Sequence, residues 1–108
     1  MKTFKPPKYA QENAKKALEC LDKGSPAMLR VGRLRARQLA KGEPLGKTSL
    51  KKIARFKRHK TNAEFEGPVC KDRGAVAWLG WGYGFKDNKP NDRFSDWAKR
   101  KLDKIDKP

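Results

Sequence analysis

The sequence is poor in the residues from which catalytic and metal sites are built. Its 108 residues include one histidine and two cysteines. Cys20 and Cys70 lie fifty positions apart, with no CxxC or HxxxH pair, so the spacing of a metal cluster is missing. We therefore expect no metal and no cofactor. Because nothing marks the chain for export, free thiols are the expected state of both cysteines, with a disulfide between them as the alternative.

Long apolar runs are missing as well. No stretch approaches the length of a membrane span, and the first nine residues, MKTFKPPKY, contain no hydrophobic segment typical of a signal peptide. This composition predicts a soluble, intracellular protein with no membrane partner. A phosphate-binding loop is also absent, because residues 42–49 read GEPLGKTS, with three residues between the glycines where that motif has four. We therefore reject a nucleotide hydrolase of that class.

Acidic residues are nearly absent from residues 28–60. Glu43 is the single acid in this stretch, which holds twelve of the 28 Lys and Arg residues. The stretch therefore contributes +11 to the chain's formal net charge of +16. A surface of this kind accumulates polyanions, among which nucleic acid comes first.

Apolar residues recur at helical spacing, which predicts a mainly α fold. We expect a compact single domain, residues 9–106, with four to five short helices around a Trp-rich core. An extended N-terminal arm, residues 1–8, precedes it, with its mobility left open. The first predicted helix covers residues 9–22, and the second starts at Ser25 and Pro26 and ends at Gly42. The third starts at a cap formed by Thr48 or Ser49 and ends at about residue 60. The fourth covers residues 74–81 after a cap at Asp72, and the last runs from Asp92 or Ser95 to residue 105. A short strand is expected, if anywhere, in residues 63–70.

Both helices of the basic stretch have apolar side chains on one face and cations on the other. The predicted nucleic-acid-binding residues are Arg30, Arg33, Arg37 and Lys41 on the first helix and Lys51, Lys52, Arg55, Arg58 and His59 on the second. On neighbouring helices, these two faces would form one continuous cationic surface. A linker of about seven residues exceeds the three or four of a DNA-reading helix-turn-helix, so that docking mode is not favoured.

Aromatic residues and glycines alternate just after the apolar segment 74–81. Trp78 within that segment is expected to be fully buried, because the segment has no polar face. For the rings of Trp81 and Tyr83 two roles are open. They could stack on the bases of a nucleic acid, or they could fill the core, which is the commoner role and the one we favour.

Arg35 differs from the other cations because it falls on the apolar side of its helix. A buried guanidinium has to be paired and hydrogen-bonded. The candidate partners are Glu19, Asp72 and Asp96. In the alternative, the aliphatic stem of Arg35 packs in the core while its head reaches solvent.

The inventory of reactive groups does not favour an enzyme. His59 is the only imidazole, and general-base catalysis would require a positioned partner for it. Glu64, Glu66 and Asp72 follow His59 at distances that could gather around Mg²⁺, as in some nucleases. Spacing alone is a weak signal, so we assign no catalytic residue.

A resemblance to a known family rests on several short motifs. The residues that carry it are Val31, Gly32, Arg33, Arg35, Ala36, Arg37 and Leu39, then Arg55, Phe56, Arg58 and His59, then Arg73, Gly74, Ala77, Trp78, Trp81 and Gly82, and finally Ser95, Trp97 and Ala98. In this order the motifs, which include VGxxRAR and GxxAWxxWG, resemble a family of small domains of tailed bacteriophages. Members stand alone or are joined to phage head proteins, including maturation proteases.

The resemblance spans residues 9–100 and implies a phage source, without implying an activity. Tyr83 stands where the family usually has a second glycine. Lys60 stands where an acid often follows the histidine, which weakens a hydrolytic role for His59.

These observations lead to one expected function and two alternatives. We expect a phage protein that binds nucleic acid, DNA rather than RNA, through the phosphate backbone. The first alternative is a virion component, or an inhibitor that docks on an acidic host protein. The second is a metal-dependent nuclease. The expected location is the cytoplasm of the infected bacterial host or the virion.

Overall fold

We analysed a computed structural model that describes residues 2–24, 30–87 and 89–106, without the side chains of Val31 and Asp106. The helices are α1 (Lys8–Asp22), α2 (Arg30–Ala40), α3 (Lys47–Phe56), α4 (Arg73–Gly80) and α5 (Arg93–Asp106). Two 3-10 helices cover Lys57–Ala63 and Val69–Lys71, and two strands cover β1 (Gly84–Lys86) and β2 (Lys89–Asn91). The predicted mainly α fold around a Trp-rich core is confirmed. The predicted cap at Ser25 and the first-turn Pro26 lie outside the described residues.

Helix α4 is the central element of the domain. Its side chains are almost wholly apolar, and it packs against α1, α2 and both 3-10 helices. Asp72 caps α4 as expected, because its Oδ1 accepts from the backbone N–H of Ala75 at 3.0 Å. Gly74 is required at the second position, since a Cβ there would lie 1.9 Å from the carbonyl oxygen of Asn62. The absence of this side chain lets the 3-10 helix Lys57–Ala63 approach α4 closely.

The core is built around Trp78, whose side chain is fully buried as predicted. Its ring centroid lies 4.3 Å from that of Tyr83 and 6.0 Å from that of Phe56. Its indole N–H donates to the carbonyl of Gly84 at 2.8 Å, so the one polar atom of the side chain is satisfied. The fold therefore places the polar handle of Trp78 against the start of β1.

The boundaries of α2 and α3 have local causes. Helix α2 ends in a Schellman motif, in which Gly42 has a φ of 72° and the N–H of Glu43 bonds the carbonyl of Gln38 at 3.1 Å. The expected Thr48 or Ser49 cap is wrong, because both residues lie within α3, which begins after Gly46. The expected end near residue 60 is also wrong. The α-helix stops at Phe56, and the chain continues as the 3-10 helix to Ala63.

The described strands form a β-hairpin after α4, and the strand expected in residues 63–70 does not form. That region instead forms a loop and the short 3-10 helix Val69–Lys71, with Gly67 at a φ of 83° before Pro68. Strands β1 and β2 pair antiparallel, with Phe85 opposite Pro90. Gly and Pro are depleted in strands, so the presence of Gly84 and Pro90 did not indicate a hairpin in the sequence.

The N-terminal arm is extended and docked onto the domain. Phe4 and Leu45 exchange two backbone hydrogen bonds, of 3.0 and 2.8 Å. Pro6 is buried, and the ammonium group of Lys2 donates to the carbonyl of Lys104 at 3.3 Å. The arm therefore braces the linker between α2 and α3. Within the described residues, every helix is too short or too polar to cross a membrane.

The expectation of free thiols is wrong, because Cys20 and Cys70 form a disulfide. Cys20 is fully buried in a small apolar cluster with Ala17, Val76 and Leu79, and Cys70 packs at its edge. The Cα atoms are 5.0 Å apart, which is within the range that a disulfide spans. The bond ties α1 to the 3-10 helix Val69–Lys71 and closes a loop that contains α2 and α3.

Replacing Trp78 should unfold or nearly unfold the domain. Trp78→Ala leaves a large cavity and removes the donor to Gly84, so we expect a loss of about 3 to 5 kcal/mol in the free energy of unfolding. Urea denaturation followed by circular dichroism measures it. Trp97→Ala is the matched control, because this side chain is only half-buried and should lose less. An equally stable Trp78→Ala protein would contradict the core described above.

Removing the disulfide should lower stability without changing the fold. The closed loop of about fifty residues restricts the unfolded chain, so the double variant Cys20→Ser with Cys70→Ser should lose about 2 to 4 kcal/mol. Thermal denaturation with and without dithiothreitol tests this. The reductant should destabilise the wild type and leave the double variant unchanged. A wild type that is insensitive to reductant would show that the bond does not contribute.

Candidate nucleic-acid interface

The cations predicted to bind nucleic acid lie at the surface. The exposed residues are Arg30, Arg33 and Arg37 on α2, Lys41 just after it, Lys51, Lys52 and Arg55 on α3, and Arg58 on the 3-10 helix that follows. His59 is half-buried on the same 3-10 helix. On the opposite faces, Leu39 of α2 and Leu50 and Ile53 of α3 are fully buried. Amphipathic packing therefore turns both basic faces outward.

The two basic helices have different packing partners. Helix α2 packs mainly on α1 and α4, whereas α3 packs mainly on α5 and the 3-10 helix Lys57–Ala63. The main packing partners of α2 and α3 therefore differ, and one continuous cationic surface across both helices stays a prediction. A helix-turn-helix requires its two helices to pack on each other, so this pair does not form that motif.

Four stacked side chains connect the two basic helices. The ring of Trp81, at the C-terminal end of α4, lies parallel to that of Phe56 on α3, with centroids 4.6 Å apart and planes 9° apart. The Arg35 guanidinium of α2 lies over the Trp81 ring, 5.4 Å from its centroid. The His59 ring lies 4.8 Å from that of Phe56, tilted by 46°. We call Arg35, Trp81, Phe56 and His59 the Trp81 stack. It has a cation from α2 at one end and the Arg58–His59 pair at the other.

Arg35 has no acidic partner within the described part of the chain, so the expected pairing with Glu19, Asp72 or Asp96 is wrong. One guanidinium nitrogen donates to Oε1 of Gln38, one turn along α2. Its Nε is buried without a hydrogen-bond partner. Burial lowers the pKa of Arg35 from its ordinary value. Arg35 is half-buried rather than fully buried, which agrees with the snorkelling alternative in part.

The rings after α4 belong to the fold. Tyr83 is fully buried, and its hydroxyl donates to the carbonyl of Ile53 at 2.6 Å. A base could not stack on Tyr83 without unfolding the domain, so a stacking role for this residue is wrong. Gly82 has a φ of 89°, and a Cβ there would lie 2.5 Å from the ring of Phe94. Trp81 is half-buried and already stacked on Phe56, which also favours the core interpretation.

The structure gives no support to the metal-dependent nuclease. Glu64, Glu66 and Asp72 line an open groove of about 770 Å³ together with Lys60 and Lys89. Among the described residues, no group of three or more His, Cys, Asp and Glu side chains is arranged to hold a metal ion. Asp72 is engaged in capping α4, and Nε2 of His59 accepts from Nε of Arg58 at 3.3 Å. The spacing of these residues in the sequence therefore does not translate into a metal site.

Asp92 modifies the cationic surface in a way that the sequence analysis missed. Its carboxylate lies 3.6 Å from the ammonium group of Lys57 and 3.5 Å from that of Lys60. These ion pairs join the 3-10 helix Lys57–Ala63 to the start of α5. They also partly neutralise two cations of the basic stretch, so the remaining charge is concentrated on α2, α3 and Arg58. Periodicity could not reveal this contact, because its partners lie more than thirty residues apart.

Comparison with known proteins gives no match to a family model, a curated protein or a solved structure. The resemblance to tailed-phage domains therefore stays a prediction that rests on the motifs quoted above.

Tyr83 should make the stability of the fold sensitive to alkali. Burial raises the pKa of Tyr83 well above the ordinary tyrosine value near 10. Since the pKa of the folded state is the higher one, the contribution of Tyr83 is complete below about pH 10 and is lost as the pH rises further.

Above pH 10, we therefore expect the free energy of unfolding of the wild type to fall more steeply than that of Tyr83→Phe, by up to about 1.4 kcal/mol per pH unit. At neutral pH, Tyr83→Phe should itself cost about 1 to 3 kcal/mol, because the carbonyl of Ile53 loses its donor. Urea denaturation of both proteins, repeated at about one-unit steps between pH 8 and 11, measures the two effects. Parallel pH profiles would contradict the buried phenol.

Proposed function

We propose that the protein binds nucleic acid, DNA rather than RNA, through contacts with the phosphate backbone. The observation that carries the proposal is the set of eight exposed Lys and Arg side chains on α2, α3 and Arg58, in a segment whose single acid is Glu43. Phosphate binding needs accessible cations and little else, and it releases condensed counterions from the DNA. The fold holds these cations on rigid helices.

The distribution of apolar surface favours nucleic acid over an acidic protein partner. Protein interfaces usually contain a central cluster of apolar or aromatic side chains. Among the described residues, Leu34 on α2 is the only exposed large hydrophobic side chain, at 53% exposure, and the cations Arg30 and Arg37 lie one turn away from it on either side. A single leucine is too small for such a cluster. Docking on an acidic host or virion protein is therefore the second proposal, and the binding experiment below separates the two.

A phage source and a place in the infected bacterium or the virion are part of the same proposal and rest on the motif resemblance. The disulfide bears on the location. Stable disulfides are rare in the reducing cytosol and form in oxidising surroundings. This favours a role in the assembled particle, after exposure to oxidising conditions, over a role confined to the host cytoplasm.

The proposal predicts a strong dependence of binding on salt. With about four to eight phosphate contacts, the logarithm of the association constant should fall with the logarithm of salt concentration at about 0.9 per contact on duplex DNA. Arg37→Ala and Arg55→Ala should each lower that slope by about one and weaken binding to all sequences alike. Fluorescence anisotropy at several salt concentrations, with and without Mg²⁺, measures the slopes and shows whether the DNA stays intact.

Lys99→Ala on α5 is the matched control, because it removes an exposed cation from outside the basic segment. Its slope should equal that of wild type. Equal slopes for all four proteins would contradict the assigned surface. If wild type binds neither duplex nor single strands at moderate salt, the acidic-protein partner takes the place of nucleic acid.

A further inference from the structure

The fold holds the Arg35 guanidinium in place, and the described residues supply no acidic partner for it. It lies over the ring of Trp81, and Gln38 accepts one of its N–H groups. Trp81 is in turn fixed by its parallel contact with Phe56. The position of Arg35 is therefore set by an aromatic surface and an amide, and neither of these neutralises its charge.

The donors of Arg35 exceed the acceptors around it. A guanidinium carries five N–H donors in a planar fork. Gln38 is the one acceptor found for Arg35 among the described residues, and its Nε is buried without a partner. The second terminal nitrogen also has no acceptor among the described residues, and unlike Nε it is not fully buried. A buried guanidinium N–H without an acceptor is costly to the fold.

The surroundings of Arg35 suit an anion. The Trp81 ring forms an apolar wall on one side of Arg35, which strengthens electrostatic attraction relative to open water. At the other end of the Trp81 stack, Arg58 is exposed beside His59. The exposed cations of α2 follow on the helix that carries Arg35. A ligand at this site therefore meets positive charge from Arg35 and from the neighbouring cations of α2.

We propose that Arg35 is a phosphate-anchoring residue, which presents its free N–H groups to a phosphate oxygen pair while Trp81 and Gln38 fix the plane of the guanidinium. Phosphate matches the fork because it offers two acceptors in one plane. This inference rests on the proposed nucleic-acid binding for the source of the phosphate. It assigns Arg35 a role that the exposed cations do not have, since they contribute charge whereas Arg35 contributes a fixed geometry.

A pair of charge-conserving variants tests the geometry. Arg35→Lys keeps the charge and loses the fork, whereas Arg100→Lys makes the same change at an exposed position of α5, outside the basic surface. We expect Arg35→Lys to raise the Kd for duplex DNA about tenfold or more at fixed salt, and Arg100→Lys to change it by less than about twofold. Thermal denaturation of both variants shows whether they are folded. Two folded variants that bind as wild type does would overturn the anchoring role and leave the proposed function intact.

A second measurement needs neither a variant nor DNA. In the wild type, NMR follows the Nε–H signals of the arginine side chains during titration with inorganic phosphate. The phosphate replaces chloride, so that the ionic strength stays constant. We expect the Arg35 signal to shift and to saturate, while the signal of Arg37 moves little. No selective shift of Arg35 would overturn the proposal. A selective shift in a protein that fails to bind DNA would preserve the phosphate site and refute the nucleic-acid function.

Discussion

A buried indole nitrogen must find an acceptor, and the central helix of this domain depends on how Trp78 does so. The carbonyl of Gly84 accepts from it at 2.8 Å, which ties α4 to the hairpin that follows. Tyr83 lies between the two, with its ring against Trp78 and its hydroxyl bonded to the carbonyl of Ile53 on α3. Two aromatic side chains with one polar atom each thus connect α4, the hairpin and α3. In a domain with a core of this size, losing either hydrogen bond removes a substantial part of the net stability.

The basic surface depends on that core. Helices α2 and α3 pack mainly on different elements, so the side chains at the end of α4 matter for how the two helices are connected. Trp81 leaves the core at this point and stacks on Phe56, with Arg35 over its ring. The same aromatic segment therefore fills the centre of the protein and fixes the relation between its two cationic helices. Two further contacts hold the segment that carries most of the charge. The disulfide joins the elements on either side of this segment, and the N-terminal arm forms hydrogen bonds with the linker between α2 and α3.

Local features of the sequence predicted much of this structure. Helical periodicity located the helices, Asp72 indicated the cap of α4, and the missing polar face of α4 predicted that Trp78 is buried. Features that depend on distant residues were missed. Fifty positions separate the two cysteines, and Asp92 meets Lys57 and Lys60 only in the folded chain. The exposed cations could be predicted because exposure follows from amphipathic packing. Their arrangement could not, because nearness of α2 and α3 in sequence does not determine what each helix packs on.

The most direct test of the account is a map of the surface that nucleic acid covers. Backbone amide shifts of the labelled protein, recorded during titration with a short DNA duplex at moderate salt, give that map. The account predicts that the perturbed amides cluster on α2, α3 and the 3-10 helix Lys57–Ala63, together with Trp81, while the exposed sides of α1 and α5 change little. Shifts concentrated on α1 or α5, or no shifts at all, would contradict it.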